Sequence, residues 1–190
     1  MDAITVDDIL PAVQHVQRQK LSIIITAFKE PRLKYAIDSV LRQDIPIDYE
    51  ILVVAPDTEA ELLVGSYDNP LLRYVIDPGK GKSYALNMVF KDCTSDILLL
   101  TDGDVTISGN AIQDILTTFR NPLVGVTTGR VVSANRRDTM LGYWSHLLAD
   151  AGAHRIRKQL WKERMFLECS GYLFAFRGNV ITDIPLDVAE

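Results

Sequence analysis

Asp96-Ile-Leu-Leu-Leu-Thr-Asp-Gly-Asp104 is the stretch on which the fold turns. The aliphatic run Ile97 to Leu100 has no polar face. It suits a strand buried on both sides, as in a parallel sheet covered by helices. The run ends abruptly in two carboxylates. Residues two apart in an extended chain point the same way, so Asp102 and Asp104 share a side. Like charges held that close repel unless a cation neutralises them. An oxygen-only pair favours a hard ion such as Mg²⁺ or Mn²⁺. Asp-Gly also forms ordinary surface turns; the buried strand in front of it argues for a site instead. Gly103 is expected to let the backbone bend tightly and a ligand approach.

Working outward, the same alternation recurs on both sides. Leu21–Thr26 is apolar and rich in β-branched residues, and Glu50–Val54 and Leu72–Ile76 read as further strands. Between them, residues 31–42 place Leu33, Ala36, Ile37, Val40 and Leu41 on one helical stripe, with Pro31 at the start. A helix over 58–65 follows the second strand, and Ser83–Lys91 reads as helical. C-terminal to the acidic pair, Ser108 is placed to cap a helix carrying Ile112, Ile115 and Phe119. Val124–Val132 is expected as a strand, 138–164 as a long helical region, and Phe174–Arg177 as a last strand. Residues 5–17 have helix spacing interrupted by Pro11, so residues 1–18 form an expected N-terminal helical arm. Residues 19–190 then make a single α/β domain, a mostly parallel mixed sheet with helices on both faces. Ligands of such sheets bind beyond the carboxyl ends of the strands.

Those ends are polar in every case. Thr26-Ala-Phe-Lys-Glu30-Pro31, Ala55-Pro-Asp57, Asp77-Pro-Gly-Lys80-Gly-Lys82 and Asp102-Gly-Asp104 bring acids and bases to one rim. Gly79-Lys-Gly-Lys82 lacks P-loop spacing. A Gly/Lys turn opening a helix still suits phosphate, because N–H groups, helix dipole and lysine all favour an anion.

The ordered set SIIITAFKEP, EILVVAPD, GKGKSYALN, ILLLTDGDV, VGVTTGRV and SGYLFAFR resembles glycosyltransferase family 2 from Leu21 onward. The resemblance implies the GT-A fold and an inverting, metal-assisted sugar transfer from a nucleoside-diphosphate sugar, UDP- or GDP-linked, to an acceptor hydroxyl. It implies that Glu30 and Asp57 contact base and ribose and that Lys82 contacts the nucleotide. At Asp57 the chain departs from the family pattern, with Ala55-Pro56 where paired acids are usual. Asp102 and Asp104 look like the DxD motif that holds metal and donor, which makes Asp104 a catalytic residue. Ser170 and Gly171, with Tyr172, look like the loop beneath the acceptor. The family's base is an Asp after a Glu, and Glu190 looks like that Glu. The domain thus reads as C-terminally incomplete, with Asp183 and Asp187 as the other carboxylates of the tail. A nucleotide-sugar binding module without catalysis is the alternative reading. A nucleotidylyltransferase is disfavoured, because TAFKEP stands where a Gly-rich, Arg-containing loop would be.

Composition bounds these readings. The chain has 190 residues, 47% hydrophobic and 24% charged, enough for a packed core. A net charge of −5 argues against nucleic acid as a partner. Cys93 and Cys169 lie outside metal-ligand spacing and read as free thiols of a reducing cytoplasm. His146 and His154 likewise have no metal spacing. No apolar run approaches the roughly 18 residues of a membrane span, and the acidic start MDAITVDDIL is unlike a signal peptide. The expected location is cytoplasmic. Residues 154–164 are locally basic and flanked by Trp144, Leu148 and Trp161. They are either the charged outer face of a core helix or an amphipathic surface for the inner face of an anionic membrane, near a lipid-linked acceptor.

Overall fold

The computed structural model describes residues 19–163 and 169–184. The arm expected over 1–18 and Glu190 lie outside them. Six strands form one sheet in the order β3-β2-β1-β4-β6-β5. These are β1 (Lys20–Thr26), β2 (Asp48–Ala55), β3 (Leu72–Ile76), β4 (Ile97–Asp102), β5 (Val126–Thr128) and β6 (Leu173–Arg177). Strands β1 to β4 run parallel, while β6 is antiparallel to both β4 and β5. The expected mixed α/β sheet is thereby observed.

Both faces of the sheet are covered, which is why its central strands have no polar side. Ile23, Ile51 and Leu99 pack with α1 (Leu33–Leu41), α2 (Thr58–Gly65) and α4 (Ala111–Thr118) on one face. Ile24, Val54 and Leu100 pack with Leu86 and Val89 of α3 (Lys82–Asp92) on the other. Neighbouring residues of β1 therefore serve opposite cores, as a period of two demands.

Three expectations need correction. The strand expected over 124–132 is only Val126–Thr128. The Gly129 N–H still bonds the Leu173 carbonyl, but the backbone there lies so close that an added Cβ would stand 2.8 Å from Leu173 Cδ2. The chain then leaves the sheet, and Val132 is exposed. Ser108 does not cap α4 with its side chain. The N-cap is Asn110, and Ser108 offers its carbonyl to the Ala111 N–H and to Gln43 Nε2. The long helical region is continuous over 140–162 but not uniformly α. α5 (Met140–Leu147) and α6 (Arg155–Lys162) are joined by a π-helical segment, Leu148–His154.

Candidate active site

Strand order reverses at β1, with β2 and β3 on one side and β4 on the other. In such a sheet ligands bind beyond the carboxyl ends of the strands where the order switches, here between β1 and β4. A cleft of about 520 Å³ occupies that position, with Glu30, Asp77, Lys82, Asp102 and Asp104 on its walls.

Register makes the first contact. Thr26 pairs with Asp102 across β1 and β4, and its hydroxyl donates to Asp102 Oδ1 at 3.0 Å. Lys82, first residue of α3, forms an ion pair with the same oxygen. Gly81 before it adopts φ +98° and ψ 159°, a conformation open to glycine. An added Cβ there would meet nothing within 4 Å, so the requirement is conformational and not spatial. Asp104 is exposed and makes no side-chain hydrogen bond or ion pair among the described residues.

Gly103 lines the cleft and also has a packing role. A Cβ on it would lie 3.0 Å from Ala27 Cβ and 3.3 Å from Glu30 Cγ and Leu33 Cδ1. The glycine lets the acidic turn pack against the loop after β1. Its N–H bonds the Thr26 carbonyl at 2.9 Å, which locks the two strand ends together.

Glu30 is half-buried on the cleft wall, and its Oε1 accepts the Arg32 N–H at 2.8 Å. Asp57 stands apart from the cleft lining. It is the N-cap of α2: Oδ1 accepts the Ala60 N–H and Oδ2 the Lys29 N–H, each at 3.0 Å. Lys29 sits at φ +49°, a left-handed conformation costly for a side-chain-bearing residue. Its bond to Asp57 offsets that cost and sets the path of the loop toward Glu30.

Ser170 is fully buried; its N–H donates to Thr128 Oγ1, while Gly171 is exposed at the turn. Tyr172 offers its carbonyl to the Thr101 hydroxyl at 2.9 Å, which sets this turn beside the end of β4. Structure thus gathers Glu30, Lys82, Asp102 and Asp104 around one cleft, leaves Ser170 and Gly171 outside its lining, and gives Asp57 a capping role.

Two residues went unassigned from sequence. Thr26 carried no signal, since its partner follows from cross-strand register. Asp77 follows β3 and closes the Gly79 turn by accepting its N–H at 3.0 Å. Lys80 turns aside and lies 5.1 Å from the Tyr84 ring centre, leaving Lys82 as the lysine of this loop that reaches the acids. Tyr74 donates to the Ala55 carbonyl at 2.7 Å. Burial, then the charges of Glu61, Asp57 and Asp77, push its phenol up, so it stays a neutral donor. Burial likewise raises both cysteines, which are unbridged thiols.

The donor set suits a divalent ion held jointly with a ligand. Among the described residues no group of three or more His, Cys, Asp or Glu could hold a metal. Asp102 and Asp104 could supply two oxygens, a partial set of the kind that Mg²⁺-type ions complete with phosphates and water.

The sequence model described as "Glycosyl transferase family 2" matches residues 22–181. A hyaluronan synthase of Streptococcus pyogenes is 30% identical over 176 residues, covering 85% of this chain and 41% of its own length. The chain thus spans under half of the curated relatives it matches. A mannosyltransferase from Pyrobaculum calidifontis, solved in complex with GDP-Man and Mn²⁺, superposes with a TM-score of 0.61 at 21% identity. That match covers 85% of this chain and 45% of the other. TarS of S. aureus in complex with UDP-GlcNAc gives 0.54 at 18% identity, over 62% of this chain and 36% of the other.

Proposed function

The chain belongs to glycosyl transferase family 2, and from that premise we propose that it transfers a sugar from a UDP- or GDP-sugar to an acceptor hydroxyl, with inversion and metal assistance. The observation that carries this reading is the meeting of Thr26, Lys82 and Asp102 on one oxygen, beside the free carboxylate of Asp104. Lys82 and the N-terminus of α3 form an electropositive end suited to a diphosphate. Asp102 and Asp104 would hold Mg²⁺ or Mn²⁺, which neutralises charge on the departing diphosphate. Glu30, beside the acidic turn on the cleft wall, is proposed to face the donor. Asp57 acts on base or ribose through the loop it holds, since both its oxygens already accept backbone N–H groups. The relatives support the donor class: one neighbour was solved with GDP-Man and Mn²⁺, another with UDP-GlcNAc.

On the acceptor side, the turn at Ser170 and Gly171 lies next to the donor acids and is proposed to floor the acceptor, saccharide or lipid-linked. Glu190 is retained as a proposed part of the base region. Asp183 is an exposed carboxylate within the described residues. We also propose that the basic stretch 154–164 rests on an anionic membrane surface, supported by exposed Arg155, Lys158 and Lys162 on one helix with exposed Trp161.

Calorimetry with UDP and GDP tests the site. Binding is expected in Mn²⁺ and lost in EDTA, and Asp104→Ala should weaken it by about 1.5–3 kcal/mol, the scale of a lost charged contact. Equal affinity in Mn²⁺ and EDTA would overturn the metal assignment. Metal-dependent binding without turnover of any donor would leave the non-catalytic binding module.

A further inference from the structure

After β6 the chain does not leave the domain. The Gly178 N–H bonds the Asp96 carbonyl, at the end of the sheet remote from the cleft. From there residues 178–184 return along α3, with Ile181 and Ile184 against the Leu86, Val89 and Phe90 cluster. At Ile184 the strap meets Asn87. Asn87 Nδ2 donates to the Ile184 carbonyl at 2.7 Å, and the Ile184 N–H donates to Asn87 Oδ1 at 2.7 Å. The side-chain amide thus pairs with both backbone groups of a residue 97 positions away, as a neighbouring strand would. Asn87 is 8% exposed, so both bonds are shielded from water.

We propose that Asn87 is a positioning residue for the donor site: its clasp on Ile184 sets α3 so that Lys82 faces Asp102 and the diphosphate. This rests on the donor-site reading above. Lys82 opens a helix with no side-chain cap, preceded by Gly81. Its placement therefore depends on how the body of α3 is seated. The buried face, Ala85, Leu86, Val89 and Phe90, is apolar. Apolar contact is non-directional and tolerates small slides and rotations. Hydrogen bonds weaken steeply off-angle, so two of them on one amide fix both height and rotation. Asn87 lies about 7.5 Å along the axis from Lys82 and about 140° around it. A small rotation released at Asn87 would therefore be carried to the lysine. The plain reading is that Asn87 only satisfies a buried peptide group. That reading predicts a stability effect with no link to Lys82.

A double-mutant cycle separates the two, read by calorimetric binding of UDP and GDP with Mn²⁺ to wild type, Asn87→Ala, Lys82→Ala and the double variant. Positioning predicts that Asn87→Ala weakens binding about tenfold in the wild type but less than twofold once Lys82 is absent, because coupled sites are not additive. Equal effects in both backgrounds, or no effect with Lys82 present, would overturn it. Should Asn87→Ala not fold, Asn87→Asp keeps the acceptor toward the Ile184 N–H and carries the same cycle. Failure of wild type to bind either nucleotide would overturn the donor-site reading and this one with it. Binding that depends on Lys82 but not on Asn87 overturns this one alone.

Discussion

At Asp57 a single carboxylate serves two backbone N–H groups from different elements, those of Ala60 and Lys29. Replacing a helix N-cap acid by alanine costs about 1 kcal/mol. Here the left-handed Lys29 would lose its partner as well. Asp57→Ala should therefore lower the melting temperature by at least about 2–4 °C, the shift of 1 kcal/mol in a chain this size. An unchanged melting curve would show that the cap is idle. Lys82 makes the opposite case. Its side chain is 49% exposed, and its ion pair with Asp102 reaches the surface. Such pairs contribute about 0–1 kcal/mol. Lys82→Ala should leave thermal stability nearly unchanged while weakening nucleotide binding, measured by melting and calorimetry on one preparation. A large stability loss with intact binding would assign the lysine to the fold.

Helix α3 is the element that joins fold to site. Its start is shaped by Gly81 at φ +98°. An L side chain in that region costs about 1–3 kcal/mol, and no neighbouring atom lies within 4 Å to add a clash. Gly81→Ala is expected to destabilise by that amount through backbone strain alone, read as a lower melting temperature, and to weaken nucleotide binding in parallel by shifting Lys82. If calorimetry found binding untouched, α3 would be seated independently of its first turn. The 140–162 helix is an element of another kind. Its π-helical middle and exposed Met140, Leu141 and Trp161 give it little share in either core. Periodicity announced a helix there; its buried Gly142 and its bonds to Arg130, Ser133 and Asn135 tie it to the preceding loop and not to the sheet cores.

Across the whole molecule, charge is unevenly spread. The net charge is −5, yet Arg155, Lys158 and Lys162 stand on one exposed helix with Trp161. Each basic residue near an anionic bilayer contributes about 1 kcal/mol. Flotation with vesicles containing phosphatidylserine should therefore retain the protein at low salt and release it at high salt. Equal behaviour with neutral vesicles would return the basic residues to a solvated helix face. No helix among the described residues is long and apolar enough to cross a membrane.

The amino-acid sequence by itself determined the alternation of strands and helices and the polar ends of the strands, because both are written in local patterns. Apolar runs at Ile23, Leu52 and Leu99 demand burial on two faces wherever they sit. Glu30, Lys82, Asp102 and Asp104 were legible as candidates for one cleft because each follows such a run or opens the next helix. Only the tertiary structure decided which of these acids meets which base. The bond from Thr26 to Asp102 follows from a register between strands 76 residues apart. The capping of α2 by Asp57, the packing that makes Gly103 necessary and the clasp of Asn87 on Ile184 arise in the same way. Each depends on groups distant in sequence whose proximity is set by sheet order and core packing, and no local pattern encodes that proximity.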